Sequence, residues 1–408
     1  MKKFIFLIYF LLIFYFFQIV SAQQISISLG PEEVVFNWTT QRCADDDIPD
    51  MSARAFKDIN GNIQLIDSHY TNRRFIGSSL NTLNHPCEII LNSDLNPDPS
   101  QYNDHEWLAS TYTLDGQTIY GLVHNEYHGH IYPPSSAPST CIDYPSCWYN
   151  AITSAVSTDS GLTYTQNSAP NHLIASIPYP YTGNANNGMP YGYFNPSNII
   201  QKDGYYYAFL QVEPYQNVQT WGSCPMRTQN LADPTSWRFW DGTGFNNVPI
   251  HPYFASVVNP ANHLCQVVSQ SNLQKYANSL TYNYYLGKYI MTGVWNNLAS
   301  PGSGFYFSLS SDLINWEPPQ FLMSATMPWI ASIGSEWQGY PVLLEETNSM
   351  NFEITGQTPY LYYTKKNPNN LQLDRDLIRR QVTFTVGPSQ TLVNPLLNSP
   401  SSLLVTLI

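Results

Sequence analysis

The chain has 408 residues, of which only 11% are charged and 14% are aromatic, and its formal net charge is −12. This acidic balance argues against nucleic-acid backbones and anionic membranes as partners, because both carry negative charge themselves. The 30 tyrosines and 10 tryptophans fit two interpretations, which are packing on pleated sheets and stacking against the C–H faces of sugars.

The first 22 residues combine two lysines, a long apolar run and the small-residue ending Val20-Ser21-Ala22. This order predicts a secretory signal peptide cleaved after Ala22, with a signal anchor as the alternative. We therefore expect the mature chain, residues 23–408, to be secreted or held in an endomembrane lumen, with no membrane span after cleavage. The sequon at Asn37 is the predicted N-glycosylation site.

Six cysteines follow the predicted signal peptide. An even number in a chain bound for an oxidising compartment predicts three disulfides, and none of the spacings is that of a zinc ribbon. Sequence cannot fix the connectivity, but pairing the cysteines in order involves the shortest loops. That pairing is Cys43–Cys87, Cys141–Cys147 and Cys224–Cys265.

Four short turn signals lie between runs rich in Tyr, Phe, Ile, Val and Leu. Asn-Gly and Asp-Gly tolerate the positive φ of tight hairpin turns, so these sites predict repeated β-hairpins. They are Asn60-Gly61, Asp115-Gly116, Asp203-Gly204 and Leu286-Gly287.

Strand-like runs recur along the whole chain, and no linker or long helical periodicity interrupts them. Repeated units of three or four antiparallel strands predict an all-β fold, a single five-bladed β-propeller domain over residues 23–408. The C-terminal run Leu403–Ile408 is predicted to be a closing strand rather than part of a lipid-anchor signal. The approximate blade limits are 50–100, 104–170, 190–245, 275–325 and 335–390.

A second repeat supports this architecture. Ser157 to Tyr164 reads STDSGLTY and follows the pattern S-x-D-x-G-x-T-aromatic, while Ser310–Trp316 and Thr228–Trp237 are looser counterparts. The first segment resembles the Asp-box of sialidase-type propellers. The other two resemble the S-x-D-L-x-x-W hairpin of five-bladed arabinanase, xylosidase and invertase-like glycoside hydrolases. The resemblance concerns blade architecture over most of residues 50–390, and it implies that Asp159 and Asp312 are structural.

Hairpin geometry predicts where a functional site lies. In an antiparallel pair, the start of the first strand and the end of the second lie opposite the connecting turn. The Gly turns therefore mark one face, and polar residues that flank the hairpins converge on the other. The predicted substrate-binding residues of this face are Arg54, His124, Asn150, Asn195, Asn198, Glu213, Arg227 and Glu336.

Three acids are the catalytic candidates, because glycoside hydrolysis needs one carboxyl as proton donor and one carboxylate as base or nucleophile. Glu126 is the first choice for the general acid, and the alternative is a salt bridge to Arg54 or Arg227. Asp104 is the candidate base, and its alternative is an Asx-turn before Trp107.

Asp50 is a third candidate on the basis of the resemblance, since the related five-bladed enzymes carry a general-base Asp just ahead of the first blade. It belongs to the acidic loop Asp45-Asp46-Asp47-Ile48-Pro49-Asp50. A solvated loop charge and a calcium-binding loop are the alternatives.

The run from His124 to His130 reads HNEYHGH. In a regular strand His124, Glu126 and His128 share one face. Such a cluster could bind a divalent metal, contact substrate as a polar wall, or belong to a solvated loop. We carry forward the polar wall and expect no cofactor.

The chain departs from the hydrolase pattern in two places. Asn195-Pro196 stands where those enzymes often begin an inner strand with Asp-Pro, and an amide cannot serve as an acid or base. Glu336 begins only a loose echo of their Glu-Gly-Pro segment, and no context singles out three substrate-binding arginines of the sialidase kind. The amide of Asn195 favours binding of hydroxyl groups over catalysis in this blade.

The sequence predicts a secreted carbohydrate-active protein whose partner is an oligosaccharide, a polysaccharide or a glycoprotein. The favoured activity is hydrolysis of a glycosidic bond by paired carboxylates at the propeller mouth. The alternative is a non-catalytic propeller that binds glycan or protein through an aromatic, Asn-rich rim. No phosphate loop, dinucleotide fingerprint or nucleophile elbow supports another chemistry.

Overall fold

The computed structural model describes residues 25–67, 69–133, 141, 144–183, 185, 188–274, 279–296 and 300–387. The predicted signal peptide, residues 1–22, and the predicted closing strand, residues 403–408, lie outside the described residues. Two four-residue α-helices, α1 (Trp38–Gln41) and α2 (Gln270–Leu273), occur in the described part. No helix found there is long and apolar enough to cross a membrane.

Strands make up most of the regular structure, as the hairpin signals and the high aromatic content predict. In chain order they are β1 (Ile25–Leu29), β2 (Glu33–Phe36), β3 (Arg54–Lys57), β4 (Ile63–Ile66), β5 (Thr71–Asn72), β6 (Phe75–Gly77), β7 (Leu91–Asn92), β8 (His105–Thr113), β9 (Ile119–His128), β10 (Trp148–Ser157), β11 (Leu173–Ala175), β12 (Tyr191–Phe194), β13 (Ile200–Lys202), β14 (Tyr205–Glu213), β15 (Gly222–Thr228), β16 (Arg238–Phe239), β17 (Ser279–Asn283), β18 (Lys288–Trp295), β19 (Gly304–Ser310), β20 (Gln320–Ser324), β21 (Trp337–Leu344), β22 (Ile354–Thr355), β23 (Tyr360–Lys366) and β24 (Arg375–Val386).

Residues Ser28–Thr383 form one compact unit, and the described residues 25–27 and 384–387 belong to a second. In the second unit the Ser26 hydroxyl donates to the carbonyl of Thr385 at 3.4 Å. The features described below all belong to the first unit.

Five groups of antiparallel strands follow one another along the first unit. Blade 1 is β3-β4-β6, blade 2 is β8 to β11, blade 3 is β12 to β16, blade 4 is β17 to β20, and blade 5 is β21, β23 and β24. The chain is a five-bladed β-propeller. The predicted all-β propeller fold is confirmed.

Strand exchange between blades was not visible in the sequence. β2 pairs with β24, with Glu33 opposite Arg379, so a strand from the start of the chain completes the last blade. β22 pairs with β17, and β12 runs parallel to β10 with Tyr191 opposite Tyr149. The β10–β12 pair joins blades 2 and 3 into one nine-stranded sheet.

The predicted Gly turns are confirmed as hairpin turns. Gly61, Gly116, Gly204 and Gly287 have φ of 80°, 75°, 78° and 63°, in the left-handed region that favours glycine. They connect β3 to β4, β8 to β9, β13 to β14 and β17 to β18. The first strand of each hairpin therefore begins, and the second ends, at the opposite face.

The aromatic residues pack between the blades. One cluster of buried side chains joins blades 2 and 3 and includes Tyr149, Tyr191 and Tyr193. Another joins blade 1 to blade 5 and includes Leu65 and Tyr362. Burial of apolar surface, worth about 25 cal/mol per Å², thus holds the last blade against the first.

The three predicted disulfides, Cys43–Cys87, Cys141–Cys147 and Cys224–Cys265, are confirmed, with Cα–Cα distances of 5.6, 5.6 and 5.9 Å. The first connects the segment before blade 1 to the segment after β6. The third ties β15 to the segment that leads into blade 4.

Asp159 and Asp312 bind their own turns, as expected of structural residues. Asp159 accepts from the amide of Thr163 at 3.0 Å, and Asp312 accepts from the amides of Ile314 and Asn315 at 2.9 and 2.7 Å. These carboxylates satisfy turn N–H groups that otherwise have no partner.

Asn37, the predicted glycosylation site, caps the start of α1. Its side-chain oxygen accepts from the amide of Thr40 at 3.1 Å, and its Nδ2 donates to Asp376 at 3.3 Å. Both groups of the amide are therefore engaged in the fold, and glycosylation here stays a prediction.

Candidate functional site

A cavity of about 1160 Å³ opens at the strand ends opposite the Gly turns. We call it the mouth cavity. Three carboxylates from three blades line it, namely Asp50, Glu126 and Glu213. Two of these were predicted catalytic residues and the third a predicted substrate-binding residue, and the cavity lies at the face that hairpin geometry had indicated.

Strand register explains how the three acids meet. Asp50 lies just before β3, and Glu126 lies near the end of β9, opposite His105 of β8 and Asn150 of β10. Glu213 is the last residue of β14. All three acids therefore lie beside the open ends of hairpins, opposite the Gly turns.

Asp50 is fixed by two residues of blade 5. Its Oδ1 accepts from the Arg375 guanidinium, with which it forms an ion pair, and from the Tyr340 hydroxyl at 3.2 Å. Burial holds the pKa of Tyr340 well above its usual value, so this phenol acts as a donor. The solvated-loop interpretation is therefore wrong for Asp50.

Glu126 is enclosed by imidazoles rather than by arginine. Its Oε2 lies 3.0 Å from His128 Nε2, and its Oε1 lies 3.8 Å from His124 Nδ1. His128 in turn stacks on His105, with ring centroids 4.7 Å apart. The alternative of a salt bridge from Glu126 to Arg54 or Arg227 does not hold, since neither arginine is among its ion-pair partners in the described part of the chain.

His124 and Asn150 lie beneath the cavity rather than in its lining. Both are buried, and His124 Nε2 is 3.1 Å from Asn150 Oδ1. Burial lowers the pKa of His124, so the ring is neutral at neutral pH. These residues were predicted to bind substrate, but they contact Glu126 and the main chain instead.

Glu213 ends a short chain of amides on blade 3. Its Oε1 accepts from Gln211 Nε2 at 3.1 Å, and Gln211 Oε1 accepts from Asn195 Nδ2 at 3.4 Å. Asn195 has φ of 33° at the interruption between β12 and β13. Asn195 and Gln211 also line the cavity, where amide groups can bind hydroxyls.

Aromatic rings form much of the remaining wall. Tyr144 stacks on Trp148, with ring centroids 5.5 Å apart, and Trp148 meets Phe194 edge-on at 5.6 Å. Trp107 and Trp329 also line the cavity. Such rings offer flat apolar faces beside the polar groups of the three acids.

Three predicted site residues are buried structural groups outside the lining. Arg54 donates to the carbonyls of Ala53 and Pro196 at 3.2 and 3.0 Å, and burial lowers its pKa to about 9. Asn198 accepts from the amide of Leu280 at 2.7 Å and so connects blades 3 and 4.

Asp104 is the third. It accepts from the amide of His128 at 3.0 Å and from the Tyr132 hydroxyl, and it lies 2.9 Å from His105 Nδ1. Its carboxylate is thus occupied by donors of the β9 end rather than turned to the cavity, which disfavours the predicted role as a base.

Arg227 lies at the wrong end of its blade for a mouth residue. β14 begins directly after the Asp203-Gly204 turn, and Arg227 on β15 pairs with Tyr207 near that beginning. Its guanidinium lies 3.9 Å above the Tyr205 ring and bonds the Tyr207 hydroxyl at 3.0 Å. The third strand runs from the mouth towards the turn face, so its last residues cannot reach the site.

Glu336 lies at the mouth end of blade 5 but outside the cavity lining. It forms an ion pair with Lys365 at 3.5 Å and accepts from Gln338. Among the described residues, only Cys43, Asp47 and His85 place three metal-capable atoms within 4.8 Å of one another. Cys43 is in a disulfide and cannot serve as a ligand, so we assign no metal there.

Sequence reasoning missed Tyr340, Arg375 and the ring wall of Trp107, Tyr144 and Trp148. No local signal marks Tyr340 or Arg375, because each meets Asp50 only after the last blade has closed against the first. The ring wall carried a signal, because Trp107 is the third residue of β8 and Trp148 is the first residue of β10, and both strands begin at the mouth.

No protein-family model matches the chain, and no curated protein matches its sequence. Solved structures do overlap with it. A Dyadobacter fermentans protein of unknown function has a TM-score of 0.52 at 10% identity, over 88% of this chain and 99% of its own. This overlap shows a shared fold.

Two further structures overlap less well. A Cellvibrio cellulosa α-L-arabinanase complexed with arabinohexaose has a TM-score of 0.43 at 10% sequence identity, and the overlap covers 80% of this chain and 90% of the arabinanase. The catalytic domain of a Coprinopsis cinerea GH62 α-L-arabinofuranosidase has a TM-score of 0.41 at 10% sequence identity, and the overlap covers 89% of this chain and 98% of that domain.

Proposed function

We propose that the chain hydrolyses a glycosidic bond of an oligosaccharide or polysaccharide in the mouth cavity. The observation that carries the proposal is that Asp50, Glu126 and Glu213, from three different blades, line one cavity together with aromatic rings. Glycosidases need two carboxyl groups on either side of the scissile bond, and sugars stack their C–H faces on aromatic rings.

The environments of the acids suggest different roles. Asp50 contacts a permanent cation, Arg375, and the Tyr340 hydroxyl, which suits a carboxylate that activates water or attacks carbon. Glu126 contacts two imidazoles and no arginine, which suits the proton donor. Glu213 is the second candidate for the donor, because it too lines the cavity.

The walls of the cavity fit a sugar better than other small ligands. Amide groups of Asn195 and Gln211 can donate to and accept from hydroxyls. The rings of Trp107 and Trp148 supply flat faces of the size of a pyranose or furanose ring. We infer the substrate class from this combination of amides, rings and acids.

Export is part of the proposal. The N-terminal apolar segment supports secretion, and so do the three disulfides, which persist in oxidising compartments. Expression in a eukaryotic host, followed by N-terminal sequencing of protein from the medium, tests it. We expect the mature chain to begin at Gln23.

Hydrolysis is tested with aryl glycosides and a set of plant and bacterial polysaccharides. We expect Glu126→Gln to lower kcat/KM by about 10²- to 10⁴-fold, the usual contribution of a general acid. Glu317→Gln is the matched control, because Glu317 is an exposed acid paired with Lys288 away from the cavity lining. Full activity of Glu126→Gln with loss in Glu213→Gln would move the donor role to Glu213.

The non-catalytic alternative gives a different result in the same experiment. A wild-type protein that binds oligosaccharides in calorimetry but releases no product from any of them is a binding propeller. Absence of both binding and hydrolysis across the set contradicts the carbohydrate proposal itself.

A further inference from the structure

The backbone of Tyr340 is strained. Its φ is 57°, in the left-handed region, where the Cβ of a residue other than glycine lies too close to the following carbonyl oxygen. Of the described non-glycine residues with such a φ, Tyr340 alone lies inside a strand, since the others lie in turns, loops and helix caps. A strained residue persists only where the surrounding structure holds it, and such residues cluster at functional sites.

A β-bulge in blade 5 produces this conformation. The β21–β23 register shifts after Gly339, so that Tyr340 and Pro341 together face the single residue Tyr363. Proline has no N–H to donate to a ladder, and β21 is an edge strand of its sheet, so the bulge is tolerated there. A bulge bends its strand and gives a side chain a new direction, and bulges are frequent next to active sites.

The bulge brings Tyr340 to the mouth cavity and to another blade. Tyr340 lines the cavity, and its hydroxyl donates to Asp50 Oδ1 at 3.2 Å. The same oxygen accepts from the Arg375 guanidinium, which is held in turn by the carbonyl of Gln372 at 3.3 Å from Nε. Asp50 therefore has a cation as one partner and a directional hydroxyl as the other.

Blade 3 contains a second break of the same kind. β12 and β13 both pair with β14, and the interruption between them begins at Asn195, which has φ of 33° and precedes Pro196. Asn195 also lines the cavity, and its Nδ2 donates to Gln211, which donates to Glu213. The first strands of two blades thus carry a strained residue followed by proline at the mouth, and each directs a donor towards an acid of the cavity.

We propose that Tyr340 is a positioning residue for Asp50, and that the strained bulge places its hydroxyl on that carboxylate although the fold loses stability by it. The catalytic meaning of this inference rests on the proposed function. Arg375 supplies the opposite charge, and the hydroxyl limits rotation of the carboxylate because hydrogen bonds are directional. Strain that breaks a local rule at a functional site and is offset elsewhere is common in natural proteins.

Urea unfolding measures the strain without any substrate. Alanine and glycine at position 340 both lack the ring and the hydroxyl, and they differ only in the Cβ. We expect Tyr340→Gly to unfold at a higher urea midpoint than Tyr340→Ala, because glycine adopts a positive φ without strain. A higher midpoint for Tyr340→Ala overturns the inference.

Gln338 is the control position for this comparison. It lies in the same strand and does not have a positive φ. Glycine in the middle of a strand is less favourable than alanine, so Gln338→Ala should unfold at a higher urea midpoint than Gln338→Gly. The opposite orders at positions 338 and 340 would show that the strain belongs to Tyr340 and not to β21 as a whole.

Removal of the hydroxyl alone tests the positioning role. Tyr340→Phe keeps the ring, so we expect substrate binding to be retained while Asp50 loses its directional donor. In an active enzyme kcat should fall about 10- to 100-fold with little change in KM, because a catalytic group held slightly out of place slows the chemical step. An unchanged kcat, or an effect confined to KM, contradicts the proposal.

Tyr363→Phe is the matched control. The Tyr363 hydroxyl donates to Glu32 Oε1 at 2.7 Å, so this variant also loses a bond between a phenol and a carboxylate in blade 5. Tyr363 is buried and lies outside the cavity lining. We expect both variants to lower the urea midpoint, whereas only Tyr340→Phe should lower kcat. An equal fall of kcat in the two variants would assign the effect to the fold and overturn the inference.

Crystal structures of the wild type and Tyr340→Phe measure the position of Asp50 directly. We expect the main chain of the bulge to be the same in both. The Asp50 carboxylate should be displaced by more than about 0.5 Å in the variant, the tolerance within which catalytic groups are held. An identical carboxylate position overturns the inference, whether or not the protein is active.

These measurements separate the inference from the proposed function. A protein with the expected order of urea midpoints and a displaced Asp50, but no activity on any glycan, keeps Tyr340 as the residue that positions Asp50 and loses the hydrolase proposal. An active enzyme in which Tyr340→Phe retains the wild-type kcat loses only the inference.

Discussion

Carboxylates occur at both faces of the propeller, but their partners come from different distances along the chain. At the turn face, Asp115 accepts from the amides of Gln117 and Thr118 at 2.9 and 2.7 Å, and these bonds hold its pKa below the usual range. At the mouth, Asp50 meets Tyr340 and Arg375, which are 290 and 325 positions away. An acid bound by its own turn shapes the backbone, whereas an acid held by another blade is available to the cavity.

The largest expected difference between the two faces is in activity. We expect Asp50→Asn to lower kcat/KM by about 10²- to 10⁴-fold, because an amide cannot activate water or attack carbon. Asp159→Asn at the turn face should leave turnover unchanged and lower the free energy of unfolding by about 1 kcal/mol through a weakened turn. Steady-state kinetics and urea unfolding measure the two effects, and equal turnover of Asp50→Asn and the wild type removes Asp50 from the mechanism.

Glu106 lies at the mouth end of blade 2, and we expect it to affect stability rather than activity. It is buried next to His105 on β8, outside the cavity lining, and burial raises its pKa to about 8. The folded chain therefore retains a proton that the unfolded chain releases near pH 4. Stability from this group is lost as pH rises from about 4 to about 8.

We expect Glu106→Gln to remove that loss. Relative to the wild type, its free energy of unfolding should be higher at about pH 8 than at about pH 5 by an amount on the order of a few kcal/mol. Glu317→Gln, at an exposed position, is the control. Identical pH dependence in the wild type and Glu106→Gln would show that Glu106 is ionised in the folded state.

Local sequence signals predicted the features that depend on local geometry. The positive φ of Gly61 and Gly204 follows from residue type, and the hairpins around them indicated which face carries the site. Glu126 and Glu213 could be placed there because each lies at or near the end of the second strand of a hairpin. The cysteine spacing left the connectivity open, and the pairing that forms is the one with the shortest loops.

Features that depend on packing between distant segments could not be predicted. The prediction that Arg227 lies at the mouth is wrong, because the third strand of its blade runs towards the turn face and its neighbours there are aromatic rings. Asp104 was an acid at the right face, but the Tyr132 hydroxyl and the His128 amide already occupy it. Asn150 is buried because it bonds the carbonyl of Tyr191, which reaches it through a β10–β12 pair that no hairpin rule describes.

Gly116 and Gly61 show that the turn face is not uniform. Both have positive φ, so an alanine at either position costs about 1 kcal/mol in backbone strain. A Cβ at Gly116 would lie 2.6 Å from the main-chain nitrogen of Ile59, whereas one at Gly61 would meet nothing within 4 Å. We expect Gly116→Ala to cost about 1–3 kcal/mol more than Gly61→Ala in urea unfolding, because backbone atoms must move. Equal costs in the free energy of unfolding would mean that the main chain at Ile59 moves to accommodate the added Cβ without further loss of stability.

The smallest effect concerns the rim of the mouth, where a ring can contribute to binding without contributing to the fold. Trp329 lines the cavity but is 63% exposed, so its removal leaves little buried surface behind. We expect Trp329→Ala to change the free energy of unfolding by less than about 0.5 kcal/mol.

The affinity of the Trp329→Ala variant for an oligosaccharide should fall about three- to tenfold, since a stacked ring is worth roughly 0.5–1.5 kcal/mol. Calorimetric titration compares it with Ile333→Ala, whose side chain is 90% exposed in the same loop and does not line the cavity. Equal affinities of the two variants would place the sugar deeper, against Trp107 and Trp148, and leave the rim without a part in binding.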